Sequence, residues 1–374
     1  MRAKVPFFEY SRLWSDNREE LLSVIDNVSS SGGFILQKAV SDFEQELANY
    51  AGCNYAVGVG NATDGMEIFL SAIGIKPGDE IIISSHTMLA TASAIKLSGG
   101  TPIPVDIGED FLISTKCIKD AITSKTIGIM PTQLNGRICN MDEIISIAKE
   151  NNLFIVEDAA QALGARYKGQ HAGTFGLAAT ISFYPAKVLG CLGDAGAVLV
   201  NDKSLYDKIY QIHDHGRSKD GEVMRWGRNS RLDNIQAAIL SYKFKNYDKV
   251  IKRRRAIAQM YQERLSVLEQ LKLPPAPSEN SDNFDVYQNY ELLAKNRDEL
   301  KIYLSKKNIG TLIQWGGKGI HHFTNLGFRQ VLPKTDEFFK SCIMLPMNMF
   351  ISDSDINYVC ETIIKFYKNN KKGI

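Results

Sequence analysis

One lysine, Lys187, has sequence neighbours that suit a lysine reacting with a carbonyl group. It follows the strand-like stretch "ATISFYP" and precedes the glycine-rich stretch "GCLGDAG". Burial lowers the pKa of a lysine, and the neutral amine can then attack carbonyl groups. Because a single lysine is more often exposed on a loop, Lys187 alone leaves both interpretations open.

Polar residues also follow two other strand-like segments. The stretch "NATDG", residues 61–65, comes after "YAVGVG" and opens a helical pattern. Backbone N–H groups at a helix start, with the hydroxyl of Thr63, could bind phosphate, although Thr63 could also be a helix cap. Asp158 directly follows the stretch "LFIVE" and lies three residues before Gln161. This carboxylate could face a ligand or cap a helix.

The combination of these residues fits pyridoxal phosphate. It consists of a phosphate-binding helix start, an acid at a strand end, and Ser182 five residues before Lys187. This cofactor bonds to a lysine and pairs its ring nitrogen with an acidic side chain. The acid keeps the ring protonated, so the ring can take up electrons when a carbon–hydrogen bond breaks.

The surrounding sequence predicts an α/β fold that would bring these residues together. Short apolar strand patterns alternate with amphipathic helix patterns through the first two thirds of the chain, which indicates a mostly parallel sheet covered by helices. Near Tyr247 a long helical pattern begins, followed by the loop-like "KLPPAPSENSDNFD" and a smaller α+β pattern. We therefore predict a large domain over residues 1–247 and a small domain over residues 248–374.

Composition excludes several classes of protein. The 374 residues carry a formal net charge of +2, with acidic and basic residues mixed, so we expect no nucleic-acid partner. The basic run "KRRR", residues 252–255, is predicted to be a solvated helix face. Six scattered cysteines without a C-x-x-C pair predict no metal site and no disulfide scaffold, as in the reducing cytoplasm. We expect no signal peptide and no membrane span.

Longer stretches resemble the DegT/StrS family of pyridoxal-phosphate-dependent nucleotide-sugar aminotransferases. The similarity is carried by "GVGNATDGMEI", "VEDAAQALGA", "SFYPAKVLGCLGDAGAVLVND" and "RNSRLDNIQAAIL". This resemblance implies the fold-type-I architecture of aspartate aminotransferase. That fold has a large domain with a mostly parallel central sheet flanked by helices, and a smaller α+β C-terminal domain.

The resemblance also implies a role for each residue that contacts the cofactor ring. Lys187 would bond to the cofactor and later carry the proton, and Asp158 would pair with the ring nitrogen. Gln161 would contact the ring hydroxyl. Met88 stands where the family usually has an aromatic residue stacked on the ring, and its thioether could cover the ring instead.

The family's phosphate-binding positions carry over in the same way. Ala62, Thr63 and Ser182 would hold the phosphate within one subunit. Asn229, in "RNSRLD", would reach the phosphate bound by a neighbouring subunit. The resemblance therefore implies a homodimer with shared active sites.

Residues near the expected substrate depart from the family pattern. In "PTQLNGR", Gln133 and Asn135 replace the usual types. A further segment, "IQWGGKGIHHF", stands where many members have a His-Tyr-Pro sequence. Its side chains could bind the base, sugar or phosphate of an acceptor, or form a packed turn. The candidate substrate residues are Trp315, Lys318, His321 and His322.

We therefore expect a transaminase that takes an amino group, by family habit from glutamate, and gives it to a keto group of a nucleotide-linked sugar. The cycle would be ping-pong and would serve amino-sugar or polysaccharide biosynthesis. One alternative is the same chemistry on a non-nucleotide keto sugar or a cyclitol. Another is a regulatory protein that binds the cofactor without turnover.

Overall fold

The computed structural model describes residues 4–278 and 281–370, except for the side chain of residue 370. Its helices are α1 (Tyr10–Ser15), α2 (Arg18–Ser31), α3 (Lys38–Ala51), α4 (Ala62–Ile73), α5 (Leu89–Leu97), α6 (Thr115–Ala121), α7 (Met141–Glu150), α8 (Lys203–His213), α9 (Asn234–Phe244), α10 (Tyr247–Leu265), α11 (Arg297–Lys306), α12 (Pro333–Ser341) and α13 (Asp353–Asn370).

The strands alternate with these helices along the first part of the chain. They are β1 (Tyr55–Val59), β2 (Glu80–Ser84), β3 (Thr101–Val105), β4 (Thr126–Met130), β5 (Phe154–Ile155), β6 (Glu157–Asp158), β7 (Arg166–Tyr167), β8 (Gln170–His171), β9 (Ala178–Ser182), β10 (Gly196–Val200), β11 (Leu271–Lys272), β12 (Asn283–Phe284), β13 (Tyr290–Ala294) and β14 (Cys342–Leu345).

The central sheet has the order β3-β2-β4-β5 continuing into β6-β9-β10-β1. Only Val156 separates β5 from β6, and its N–H donates to the carbonyl oxygen of Ile129 at 3.2 Å. Thr132 pairs with Asp158 in parallel, which joins the two halves. Strand β10 runs antiparallel to both neighbours, and the other pairs are parallel. The predicted α/β fold with a mostly parallel sheet is confirmed.

Helices on both faces explain why the strands are apolar throughout. In β2 the side chains of Ile81, Ile82 and Ile83 are all fully buried although they point alternately to opposite faces. Helix α4 packs against β9, β10, α5 and α8 and buries most of its own residues. A sheet covered in this way leaves its strand ends as the accessible edge.

The C-terminal part forms a smaller α+β unit. Strands β11, β13 and β14 make an antiparallel sheet that packs against α10, α11 and α13. Val5, from the start of the chain, packs into the same hydrophobic cluster and pairs with Ile309. The division of the chain between residues 247 and 248 remains a prediction, although α10 does begin at Tyr247.

The prediction that residues 252–255 form a solvated face is wrong for Arg254. This side chain is 7% exposed. Its guanidinium donates to the carbonyl oxygens of Tyr287 at 2.8 Å and Gln288 at 2.7 Å. A third hydrogen bond, of 2.9 Å, reaches the carbonyl oxygen of Met347. Burial lowers the pKa of Arg254 to about 10, and the carbonyl oxygens compensate for the lost water.

Two further expectations concern cysteines and membranes. The six cysteines are free thiols, four of them buried. Within the described residues, the helices are all too short or too polar to cross a lipid bilayer.

Candidate active site

The predicted cofactor residues come from the carboxyl ends of neighbouring strands. Asp158 ends β6, Ser182 ends β9, and α4 begins at Ala62 shortly after β1. The carboxyl ends of parallel strands meet at one edge of a sheet, which is where ligands bind in such folds. The Lys187 turn follows β9, so its side chain lies at the same edge.

Asp158 is a buried carboxylate held by hydroxyl and amide donors. Its Oδ2 accepts a 2.6 Å hydrogen bond from the Thr91 hydroxyl, and its Oδ1 accepts one of 3.2 Å from the N–H of Ala160. Because the Thr91 hydroxyl donates its hydrogen bond to the carboxylate, it accepts a hydrogen bond from the Thr87 hydroxyl. The Thr87 hydroxyl in turn accepts a hydrogen bond from the Thr132 hydroxyl. Burial raises the pKa of Asp158, while these hydrogen bonds and the charge of Lys187 oppose the rise.

Lys187 has the electrostatic setting of a reactive amine. Burial lowers the pKa of Lys187 to about 8, and the charge of Asp158 partly opposes this. Its Nζ makes no hydrogen bond with an acceptor in residues 4–278 and 281–370. The chain folds back sharply after it: a Cβ at Gly190 would lie 2.8 Å from the carbonyl oxygens of Tyr184 and Pro185. Glycine is therefore required for this close approach.

The start of α4 has the form of an anion site. The helix cap is Asn61 and not Thr63, because the side chain of Asn61 accepts the N–H of Asp64 at 2.9 Å. The amides of Ala62 and Thr63, in the first turn, have no acceptor within their own helix. A Cβ at Gly196 would lie 2.7 Å from the Ala62 nitrogen, so β10 passes directly beneath the helix start. These amides and the helix dipole favour a phosphate.

Gln161 is oriented by a residue that departs from the family pattern. Its Oε1 accepts a 2.9 Å hydrogen bond from the N–H of Asn135, so its amide group keeps two donors for a ligand. Asn135 has the left-handed φ of 58°, a conformation that asparagine tolerates. Gln133 points instead to buried Glu157, to which its Nε2 donates at 2.8 Å. Met88, just before α5, is 55% exposed.

The structure places Asn229 on an exposed segment between α8 and α9. Its backbone pairs with Asp214, and its side chain is exposed. The neighbouring apolar side chains of Val223, Met224 and Trp226 are 72%, 60% and 97% exposed. Large exposed apolar groups of this kind are typical of protein–protein contacts. The role of Asn229 in a neighbouring subunit remains a prediction.

The candidate substrate segment divides into two parts. Trp315 is half-buried with a φ of 46°, and its ring meets that of His86 edge-on at 5.5 Å. Lys318 is exposed, and no ion pair is recorded for it among the described residues. His321 is buried and hydrogen-bonded to Ser85 Oγ at 2.6 Å. The first two side chains are thus freer than the third to meet a ligand.

His321, His322 and Asp336 form a cluster whose ligand atoms lie within 4.8 Å of one another. The Nε2 atoms of both histidines lie 2.8 Å from the same Asp336 oxygen. The Nδ1 of His322 accepts the N–H of Gly319 at 2.9 Å, so its Nε2 carries the proton in the neutral ring. With one ring nitrogen accepting a hydrogen bond and the other protonated, His322 has no free lone pair for a metal ion. The expected lack of a metal site remains a prediction.

A cavity of about 270 Å³ opens beside Lys187. Its other walls come from the N-terminal residues Phe7, Phe8 and Tyr10, from Leu345 at the end of β14, and from residues 347–350 after it. Lys243 lies in the same wall, where burial lowers its pKa to about 8. Its Nζ donates to the carbonyl oxygen of Gly190. An aromatic wall with a few polar groups is typical of small-molecule sites.

The residues present fit pyridoxal phosphate. Lys187 offers an amine of lowered pKa, and Asp158 is a carboxylate whose pKa is raised by burial, so a cationic partner would stabilise its charged form. The protonated ring nitrogen of the cofactor is such a partner. The start of α4 and Ser182 provide donors for a phosphate. The supporting roles of Thr91, in the first turn of α5, and of Asn135, in the loop after β4, were not predicted, and their polar side chains were the only signal in the sequence.

The chain is similar to known aminotransferases over nearly its whole length. Residues 15–364 match the DegT/DnrJ/EryC1/StrS aminotransferase family. A "Pleiotropic regulatory protein" of Geobacillus stearothermophilus is 36% identical over 372 residues, which cover 98% of this chain and 99% of that protein. The "dTDP-3-amino-3,4,6-trideoxy-alpha-D-glucose transaminase" of Streptomyces venezuelae is 36% identical over 314 residues, covering 83% of this chain and 82% of the relative.

Solved structures agree with these similarities. The S. venezuelae DesV structure, in complex with a ketimine intermediate, has a TM-score of 0.93 and 32% identity, with 98% of this chain and 99% of that chain covered. The structure of NtdA from Bacillus subtilis, with bound cofactor PMP, has a TM-score of 0.90 and 28% identity, with 98% and 86% covered.

Proposed function

The chain belongs to the DegT/DnrJ/EryC1/StrS aminotransferase family, and from that premise we propose that it transfers an amino group from glutamate to a keto group of a nucleotide-linked sugar. It is a transaminase of a family that depends on pyridoxal phosphate. The observation that carries the proposal is Lys187, whose pKa is lowered to about 8 beside a buried Asp158. The proposed cycle is ping-pong, and its place is amino-sugar biosynthesis in the cytoplasm.

The chemistry divides between the cofactor and the chain. Pyridoxal phosphate, when bound, supplies an aldehyde that carries the amino group and a ring that takes up electrons. Lys187 has a pKa near the working pH, so it can bond as a neutral amine and move a proton in either direction. Asp158 holds the proton on the ring nitrogen, and its burial strengthens that ion pair.

Other residues bind and orient the cofactor in this proposal. Ala62, Thr63 and Ser182 bind the phosphate through amide and hydroxyl donors. Gln161 donates from its amide group to the ring oxygen, because its carbonyl oxygen is already occupied by Asn135. Met88 covers one face of the ring with its thioether.

The acceptor is proposed from the relatives and from the cavity. The S. venezuelae relative is named for a dTDP-linked amino sugar. The cavity beside Lys187 has aromatic walls that suit a sugar or base. Trp315 and Lys318 are not among the residues that line this cavity, and they are proposed to contact the nucleotide part of the acceptor, because a lysine three residues from an aromatic ring suits a diphosphate next to a base. His321 and His322 are proposed to support this segment through Asp336.

A homodimer with shared sites is part of the proposal. Asn229 belongs to the same exposed segment as Val223, Met224 and Trp226, whose apolar side chains suit contact with a second copy of the chain. We expect Asn229→Ala to weaken cofactor retention and to regain activity when mixed with Lys187→Ala. Each mixed dimer can hold one site with both lesions and one with neither. Verified subunit exchange without any recovered activity would place Asn229 outside the neighbour's site.

A regulatory function is a second candidate, because the Geobacillus stearothermophilus relative is named as a regulatory protein. Lys187, Asp158, Gln161 and Ser182 are all present, which favours turnover. Addition of glutamate to the cofactor-loaded protein distinguishes the two functions. A transaminase loses its visible cofactor absorption as the amino group is transferred, whereas a protein that only binds the cofactor keeps it.

The acceptor is tested with a panel of keto sugars, with and without a linked nucleotide. Glutamate is the donor, products are identified by mass spectrometry, and Lys187→Ala protein is the control. We expect an amino sugar that retains its nucleotide. Amination of a free keto sugar or cyclitol in preference to every nucleotide-linked compound would support the alternative acceptor class.

A further inference from the structure

The side chain of Gln288 brackets the turn that carries Lys187. Its Nε2 donates to the carbonyl oxygen of Ala186 at 2.8 Å, and its Oε1 accepts the N–H of Val188 at 2.9 Å. These are the backbone groups on either side of Lys187. Gln288 is 7% exposed, so water competes little for these hydrogen bonds.

Gln288 is itself held in place from behind. The backbone carbonyl oxygen of Gln288 accepts a 2.7 Å hydrogen bond from Nη2 of Arg254. The Nε of Arg254 donates to the backbone carbonyl oxygen of Tyr287 at 2.8 Å. The guanidinium is planar and rigid, so its donors fix the direction of the backbone that they bind. The N–H of Val286 donates to the carbonyl oxygen of Gly136 at 2.9 Å, which ties the same segment to the loop that follows β4.

The segment also reaches the other end of the cofactor site. The side chain of Asn289 donates to Oδ1 of Asn135 at 2.8 Å. The Nδ2 of Asn135 donates to the carboxylate of Glu291 at 2.6 Å. The N–H of Asn135 in turn donates to Gln161. One segment of the C-terminal part therefore contacts the backbone on both sides of Lys187 and the side chain of Asn135, the residue that orients the Gln161 side chain.

We propose that Gln288 is a positioning residue for Lys187, which sets the direction of the lysine side chain through the backbone on both of its sides. This inference rests on the proposed function, in which Lys187 bonds to the cofactor. Gln288 has no recorded contact with the lysine amine among the described residues, so it acts through the turn. A carboxamide suits this role because it has both a donor and an acceptor.

Lysine needs such support because its side chain is long and flexible. The position of its Cα and the direction of its Cα–Cβ bond decide where the amine can reach. A misplacement of about 1 Å can cost roughly a hundredfold in rate. Fixing both peptide groups around Lys187 removes this freedom before the cofactor binds.

The test measures attachment of the cofactor rather than turnover. Cofactor-free protein is mixed with pyridoxal phosphate, borohydride makes the bond to the lysine permanent, and the labelled peptide is quantified by mass spectrometry. We expect Gln288→Leu to slow attachment at Lys187 about tenfold to a hundredfold. The thermal unfolding midpoint, measured alongside, shows that the variant is folded.

Gln288→Glu is a second variant, so the test does not require the protein to fold with a leucine at position 288. The introduced carboxyl group is isosteric with the amide but lacks a donor when ionised. When protonated, it can again donate to Ala186 and accept from Val188. We therefore expect the ratio of its attachment rate to that of the wild type to rise as the pH falls from about 8 to about 6, since burial raises a carboxyl pKa. The Gln288→Leu ratio should stay flat.

Gln236→Leu is the matched control. Gln236 accepts the N–H of Leu192 at 3.0 Å, on the same loop but five residues beyond Lys187. Its attachment rate should stay within about twofold of the wild type. Equal slowing in this control, or attachment by Gln288→Leu and Gln288→Glu at the wild-type rate, overturns the inference while the proposed function stands. Failure of the wild type to attach the cofactor at Lys187 overturns both.

Discussion

Lys187 and Lys243 line the same cavity and share one unusual property, yet their surroundings differ. Burial lowers the pKa of each lysine to about 8. The Nζ of Lys243 donates to the carbonyl oxygen of Gly190. The charge that acts on Lys187 is that of Asp158, a buried carboxylate. The group that acts on Lys243 is the thiol of Cys191, whose pKa burial raises to about 11.

This difference shows that a lowered pKa does not identify a reactive lysine. The amine of Lys243 is used to satisfy a buried carbonyl group, which is a structural role. The amine of Lys187 has an acid nearby and no recorded acceptor among the described residues. A perturbed pKa becomes evidence of function when the group is also free to meet a ligand.

The largest expected contrast is in turnover. Lys187→Ala should lower kcat by about a thousandfold or more, because the bonding amine and the proton carrier are lost together. Lys243→Ala should stay within about tenfold of the wild type. Steady-state rates of amino-sugar formation measure both. Comparable losses in the two variants would remove the functional distinction between these lysines.

The next contrast concerns Asp158, the buried carboxylate that acts on Lys187 and not on Lys243. Asp158→Asn should keep some cofactor but lose roughly 10²–10³-fold in rate, the size found when a single electrostatic contact to a developing charge is removed. The neutral amide cannot hold the ring nitrogen protonated. Rates with glutamate alone, measured by stopped flow, test this effect. A rate close to that of the wild type would mean that Asp158 serves the fold and not the reaction.

The free energy of unfolding should depend more on Lys243 than on Lys187, the opposite of the order expected for turnover. Lys243→Met leaves the buried carbonyl oxygen of Gly190 without its donor, which costs about 1–3 kcal/mol. Lys187→Met removes an amine without a recorded partner and should leave the stability of the cofactor-free protein unchanged or raised. Thermal unfolding of both variants without cofactor makes the measurement. A lower midpoint for Lys187→Met than for Lys243→Met would reverse the assigned roles.

The smallest expected effect is a change in the pH dependence of amine labelling. The charge of Asp158 raises the pKa of Lys187, so Asp158→Asn should lower it further below its usual range. A neutral amine reacts, so labelling of Lys187 should begin at lower pH in this variant. Cys191→Ala should leave Lys243 unchanged, because that thiol is uncharged near pH 8. Labelled peptides from cofactor-free protein are counted by mass spectrometry.

Much of the fold could be predicted because local patterns carry it. Continuous apolar runs such as that of β2 indicate strands buried on both faces, and glycine after α4 marks its end. The positions of Asp158, Ser182 and Lys187 relative to strand ends were therefore accessible from spacing. The solvated face predicted for residues 252–255 failed, because no local pattern shows that Arg254 meets three carbonyl oxygens from distant segments.

The residue types and their order along the chain fix the kind of fold and the chemistry that it can host, since strand, helix and turn preferences act over a few residues. The support around the reactive groups depends on contacts between distant segments. Gln288 meets the Lys187 turn from about a hundred residues away, and Glu291 meets Asn135 across a still longer separation. Such hydrogen bonds have no period and no fixed spacing, so they exist only once the sheet and the C-terminal part have packed together.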